Sequence, residues 1–240
     1  MQVLPYKDKE LGKKEQVALM FDNISHKYDF LNHFLSMGID ILWRKKAISQ
    51  LKEAQPKTIL DIATGTGDFA LEALKLNPEK ITGVDISAGM LEVGKKKIEK
   101  LNLTDKIALQ LADSENLPFE SNYFDAVTVS FGVRNFEHLE IGLTEMHRVL
   151  AEGGTVVILE FSQPTAFPFK QMYSFYSNVI LPTIGKVVSS DNSAYTYLPE
   201  SVSAFPFGND FLNVLKKVGF KETKCLPLTF GISSIYVAKK

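Results

Sequence analysis

The chain is poor in cysteine: Cys225 is the only one among 240 residues. A lone cysteine closes no intramolecular disulfide, and beside four scattered histidines it offers no zinc-ligand spacing, so a reducing compartment and no metal are expected. An excess of charge of either sign is missing too. Lys and Arg number 27 against 28 Asp and Glu, a formal net charge of -1, which excludes the basic footprint of a nucleic-acid binder. No apolar run approaches the roughly 18 residues that suggest a membrane-spanning helix. The opening MQVLPYKDKELGKKEQ holds no apolar stretch of signal-peptide length. A cytoplasmic protein is expected, peripheral at most at the inner face of the cell membrane. Repeats, low-complexity tracts and Gly/Ser linkers are also lacking, so composition marks no domain boundary.

What is there reads as one compact domain over 1–240, with 45% hydrophobic and 23% charged residues. Short apolar runs of strand length, TILDIA (58–63), ITGVDI (81–86), KIALQLA (106–112), FDAVTVSF (124–131) and GTVVILEF (154–161), alternate with amphipathic segments. AGMLEVGKKKIEKL (88–101) and LEIGLTEMHRVL (139–150) read as helices, the second stopping at Gly153-Gly154. This alternation predicts right-handed crossovers and a parallel sheet covered on both faces. Residues 1–55 are helical in pattern and precede the first strand, so they are predicted to cap the carboxyl edge of the sheet, where open α/β sheets bind ligands. Residues 56–161, which hold the five runs, are expected to form the core of the sheet and, through the glycine loop among them, to bind a cofactor. Residues 162–240 carry a long aromatic and proline-bearing segment, the helix NDFLNVLKKVGF and two closing runs, KETKCLPLTF and SSIYVAKK, read as an antiparallel hairpin.

LDIATGTGDFALEA places Gly65, Thr66 and Gly67 between the first strand and a helix, where glycines let a ligand approach main-chain amides closely. Gly65-x-Gly67-x-x-Ala70, with Asp85 further on, also fits the dinucleotide fingerprint. Two further acids help to decide. Asp61, ahead of the glycines, repels a pyrophosphate but suits an ammonium group, and Asp113 follows the third strand at the same sheet edge. The set resembles the S-adenosylmethionine site of the Rossmann-like class I methyltransferases. That class has a mostly parallel seven-stranded sheet with one antiparallel edge strand and helices on both faces. The resemblance implies that the glycine loop holds the methionine part, that Asp85 takes the ribose hydroxyls, and that Asp113 and Ser114 face the adenine, with Ser130 also in the site. Ala63 stands where many members have glycine.

Longer stretches narrow the family. MFDNISHKYDFLNHFLSMGIDILWRK, SFGVRNFEH, RVLAEGG, LEFSQP and YTYLPESVSAFP together resemble the C-methyltransferases of menaquinone and ubiquinone biosynthesis. The resemblance implies methylation of a ring carbon on a polyprenylated quinol, most simply demethylmenaquinol to menaquinol, with S-adenosylmethionine as donor. It gives a reason for polar residues at the mouth of the apolar strand VTVSFGVRN. A quinol carbon is a poor nucleophile until a phenolic hydroxyl, of pKa about 10, is deprotonated. Arg134 is expected to stabilise the phenolate, Asn135 to hold the second ring oxygen, and Tyr28 to contact the ring or relay a proton, with Asn32 a weaker candidate. A surface ion pair of Arg134 with Glu137 is the bland alternative. The aromatic stretch from Phe167 to Tyr176 suits an isoprenoid tail and transient contact with a membrane surface; a homodimer is left open. An NAD(P)-dependent oxidoreductase, a methyltransferase of another lipophilic molecule and a non-enzymatic member of the fold are the competing readings.

Overall fold

The computed structural model describes residues 2–6, 10–177 and 193–240. Seven strands, β1 (Thr58–Ile62), β2 (Lys80–Asp85), β3 (Ile107–Leu111), β4 (Phe124–Ser130), β5 (Leu150–Phe161), β6 (Lys221–Leu228) and β7 (Ser233–Lys239), form one sheet in the order β3-β2-β1-β4-β5-β7-β6. β1 to β5 pair in parallel. The closing hairpin supplies the edge: β6 is outermost, and β7 beside it runs against both of its neighbours. The reversal of strand order between β1 and β4 makes a topological switch point, the place where such sheets form a ligand crevice.

The five apolar runs become strands because β-branched residues fit a pleat that is buried on both sides. Alternation sorts them between two cores. Leu60, Ile62, Val127, Val129, Val156 and Ile158 pack on one face against Leu143 and Met146 of α5 (Leu139–Val149) and Phe211 and Leu215 of a later helix, Asn209–Val218. Ile59, Ile81, Ala126 and Val157 pack on the other against α2 (Ile39–Ile48), α3 (Asp68–Ala73) and α4 (Ala88–Lys100). The expected helix stop at Gly153-Gly154 is displaced. Helix α5 ends at Val149 and the chain turns extended at Leu150, whose buried side chain belongs to the core. The glycines lie within β5, where its pairing with β4 slips from Phe124↔Leu150 to Ala126↔Thr155 and Gly153 adopts φ 75°.

The N-terminal segment folds as α1 (Lys13–Leu35) and α2. Three contacts tie α1 to loops at the carboxyl ends of successive strands. Asp22 accepts from the Ser87 hydroxyl (2.6 Å) and the Gly89 amide (2.8 Å) at the start of α4, where a helix N-terminus favours an anion. Lys14 pairs with Asp113 after β3 at 2.5 Å. Lys13 donates to the carbonyls of Arg134 (3.2 Å) and Phe136 (2.8 Å) after β4. A short helix α6 (Phe169–Phe175), then α7 (Ser193–Ala204) and α8 (Asn209–Val218), complete the described elements. Val17 and Met20 of α1 pack with Ala194 and Tyr197 of α7. Residues 178–192 of the aromatic segment lie outside the described residues.

The loops after β1 and β4 are pressed together. Ala63 adopts φ 52°, a left-handed conformation that an L side chain takes at a cost of about 1–2 kcal/mol. A Cβ on Gly132 would lie 2.5 Å from that of Ala63 and 3.1 Å from Val129 Cγ1. Gly132→Ala is therefore expected to destabilise by about 1–3 kcal/mol, Ala63→Gly alone to stabilise modestly, and the double variant to recover most but not all of the loss. Urea midpoints of the four proteins check this, and an unperturbed Gly132→Ala would show that the loops are not in contact.

Candidate active site

A cleft opens at the switch point between the ends of β1 and β4. Gly65, Asp85, Asp113, Ser114 and Ser130 line it, together with Tyr28 and Asn135. Asp85 is fixed by two main-chain donors: Oδ2 accepts from Gly65 N (2.8 Å) and Oδ1 from Ser87 N (2.9 Å). Burial pushes its pKa up to about 6 against the pull of those amides. Asp61, Thr66 and Gly67, also candidates for the site, lie behind this wall. The Asp61 carboxylate is fully buried and accepts from the hydroxyls of Thr64 (2.6 Å) and Thr128 (2.7 Å), so it braces the loop that carries Gly65; burial raises it also to about 6. Thr66 donates to Asp29 at 2.5 Å, and Gly67, at φ 86°, starts α3.

Two buried polar atoms at the cleft have no partner in the protein, Ser130 Oγ and Asn135 Oδ1. A buried acceptor or hydroxyl left unpaired costs about 1–3 kcal/mol, so such atoms mark a place for a polar ligand. Carboxylates, a glycine loop and unpaired oxygens gathered in one cleft fit the ribose, ammonium and carboxylate of S-adenosylmethionine.

A second and larger cavity, about 450 Å³, adjoins the first, and Phe21, Tyr28 and Phe131 line both. Its wall is apolar and aromatic, including Trp43, Phe161, Phe169, Tyr173, Tyr176 and Tyr197. Arg134 lines this cavity. Its guanidinium donates to Glu160 Oε1 (2.8 Å) and, through a short bond, to the Phe131 carbonyl, and it lies 5.4 Å from the centroid of the Phe161 ring. Glu160, not Glu137, is thus its ion-pair partner, because Glu137 instead accepts from the Lys13 amide. Asn135, expected to hold the second ring oxygen, stands in the wall of the smaller cleft, its Nδ2 3.5 Å from the Phe131 carbonyl. Tyr28 hydrogen-bonds Asn32; burial raises its phenol pKa, while Arg134 and Arg44 act in the opposite sense.

Sequence reasoning missed Glu160 because VILEF reads as an ordinary buried strand. The signal was there, since an acid in an apolar run needs a partner. Lys13, held by burial and the nearby Arg134 at a pKa of about 8, was missed as one more lysine of a charged opening.

The model of the ubiE/COQ5 methyltransferase family matches residues 9–240. The chain belongs to this family. It is 53% identical over 231 residues to the demethylmenaquinone methyltransferase of Bacteroides fragilis, covering 95% of this chain and 94% of that one. It is 46% identical over 230 residues to the ubiquinone/menaquinone biosynthesis C-methyltransferase UbiE of Geotalea daltonii, covering 95% and 97%. Among solved structures, the cyclase SpnF superposes with a TM-score of 0.71 at 15% identity, covering 95% of this chain and 96% of that one. A putative S-adenosylmethionine-dependent methyltransferase of Methanococcus maripaludis gives 0.60 at 21% identity, covering 98% and 96%. The fold is the Rossmann-like methyltransferase fold, and the family member is an S-adenosylmethionine-dependent C-methyltransferase.

The raised acids set a pH dependence. Between 3.8, the ordinary value, and about 6 the native Asp85 holds a proton that the unfolded chain releases. Its stabilising contribution is complete below 3.8 and is lost as pH rises through 6. Asp85→Asn cannot lose it, so the stability of the variant relative to the parent should rise by about 1–3 kcal/mol between pH 4 and 7.5. Chemical denaturation at the two pH values measures this, and a difference that does not vary with pH would place the Asp85 titration at its ordinary value.

Proposed function

We propose that this protein methylates a ring carbon of a polyprenylated quinol, converting demethylmenaquinol to menaquinol, with the smaller cleft as donor site and the 450 Å³ cavity as acceptor site. One observation carries the reading: an arginine fixed to a buried carboxylate lines an apolar cavity that shares Phe21, Tyr28 and Phe131 with the cleft. The names of the relatives, demethylmenaquinone methyltransferase and the ubiquinone/menaquinone biosynthesis C-methyltransferase UbiE, support the substrate. S-adenosylmethionine, when bound, supplies an electrophilic methyl group to the ring carbon, and the net change releases one proton.

The work of the protein is to make the ring nucleophilic and to place it. Arg134 presents a permanent positive charge where a quinol hydroxyl loses its proton, and Glu160 keeps that guanidinium from swinging away. Tyr28 stands where the cavities meet and sets the approach of the ring. Asp85 would accept from the ribose hydroxyls, and Gly65, Asp113, Ser114 and Ser130, which line the same cleft, would surround the donor. Asp61, Thr66 and Gly67 serve the same site from behind by holding the loop in shape. Asn135, its Oδ1 unpaired at the cleft, faces the donor side of the reacting pair. The aromatic wall receives the start of the isoprenoid tail. The oxidoreductase reading falls with the family.

The tail also explains an exposed apolar rim. Met37, Met172 and Phe230 at the cavity wall are 82%, 63% and 67% exposed, and Leu42, Phe167 and Phe175 are exposed nearby in sequence. Lys45 and Lys46, exposed on α2 beside Leu42, add positive charge. Such a face suits reversible contact with an anionic membrane surface; among the described residues no helix is long and apolar enough to cross a membrane.

Purified protein given S-adenosylmethionine and demethylmenaquinol should form menaquinol; no methylated quinol by mass analysis would refute the reading. Arg134→Ala should lower single-turnover methyl transfer by about 10²–10³ with donor affinity nearly intact, the range for one preorganised donor. A wild-type rate, or equal loss of donor binding and rate, would make Arg134 structural. Leu42→Asp with Phe175→Asp, both exposed and outside the cavity lining, should abolish flotation with anionic vesicles while sparing turnover of a short-tailed quinol. Undiminished flotation would move the membrane face elsewhere.

A further inference from the structure

The acceptor cavity holds a second arginine that the mechanism above does not use. Arg44, on α2, is buried and lines the cavity wall with Asp40, Ser36 and Asn32. It is locked from behind: it donates to Asp40 through a short bond and lies 3.7 Å from Asp68. Asp40 in turn accepts from Ser36 Oγ (2.6 Å) and lies 2.9 Å from His33 Nδ1. Its neighbours hold the Asp40 carboxyl below its ordinary pKa despite burial, so the pair stays ionised at neutral pH.

The cavity is thus furnished twice in the same way. Arg134 pairs with Glu160 at one place and Arg44 pairs with Asp40 at another, each guanidinium held by a buried carboxylate. Both arginines pull down the pKa of Tyr28, so both lie within electrostatic reach of the phenol at the junction of the cavities. Each pair offers fixed N–H donors in an otherwise apolar wall, which recognise the oxygens of a ring. A ligand with two oxygens on opposite sides of one aromatic ring satisfies both.

We propose that Arg44 is a specificity-determining residue: it binds the second ring oxygen of the acceptor, the one distant from Arg134, since Arg44 lines the acceptor cavity and Asn135 lines the smaller cleft. This rests on the quinol reading above. It makes the cavity a reader of para-dioxygenated rings and not of phenols in general.

The single tryptophan, Trp43, lines the cavity and reports binding through quenching by a naphthoquinone-type ring. The test compares, by that signal, dissociation constants for a short-tailed ring bearing two oxygens and for its analogue lacking one. The parent should prefer the two-oxygen ring by about 10- to 100-fold, the range for a hydrogen bond to a charged group. In Arg44→Met combined with Asp40→Asn, which removes the pair together and leaves no lone buried charge, the preference should fall to about 1–3-fold, while donor affinity by calorimetry is retained. The conservative Arg44→Lys keeps a cation beside Asp40 and Asp68 and should restore only part of the preference. A preference undiminished in the double variant, or none in the parent, overturns the proposal. Failure of the parent to bind either ring would instead count against the quinol reading, so the two failures are distinct.

Discussion

A guanidinium closed against a fully buried carboxylate, Arg134 on Glu160, constrains everything around it. Two charges taken out of water lose several kcal/mol of hydration each, and only close, well-directed pairing offsets that loss. The pair requires the ends of β4 and β5 to lie side by side, which parallel pairing of Ser130 with Leu159 provides. It also requires the chain leaving β4 to bend back at once. Phe131 does so at φ 57°, a conformation costly for a bulky residue, and its carbonyl then accepts from the same guanidinium. The strain at Phe131 and the bond from Arg134 sustain one another, so the loop has one shape before any ligand arrives.

The donor side follows a different rule. Asp61 and Asp85 are buried carboxylates without a cation partner; hydroxyls and amides hold them. Burial leaves both near pKa 6 despite those hydrogen bonds, so at neutral pH the fold carries one negative charge in the cleft wall, Asp85, and another behind it, Asp61. The arrangement weakens the empty protein and favours a cationic ligand, since a sulfonium and an ammonium relieve the repulsion that burial creates. Two adjoining cavities thus differ in character, one bordered by carboxylates held by hydroxyls and amides, the other by carboxylates paired with arginines.

Much of this was legible in the residues. The strands, the crevice and Asp85 followed from apolar runs broken by glycine and aspartate, because period and turn chemistry are local. So did α1 and α2 as a cap, since their pattern precedes the first strand. What did not follow was non-local. Nothing in VILEF names Arg134 as the partner of Glu160, 26 residues away. The side of the wall on which Asn135 falls depends on a turn of one residue at Phe131. Gly153-Gly154 looked like a helix stop because glycine ends helices and also relaxes bulges, and only the burial of Leu150 decides between them.

The cap also shows why Lys13 was not legible in the sequence. A sheet edge presents main-chain ends and loop acids to water, and it becomes a closed site only when another element covers it. Lys13, Lys14 and Asp22 fasten α1 to three loops in turn, and each of these contacts involves a charge or a helix terminus rather than a broad apolar seam. Polar fastenings of this kind are individually weak and open easily compared with a packed core. The same α1 brings Tyr28 to the junction of the cavities, where Arg134 and Arg44 are each held by a buried carboxylate.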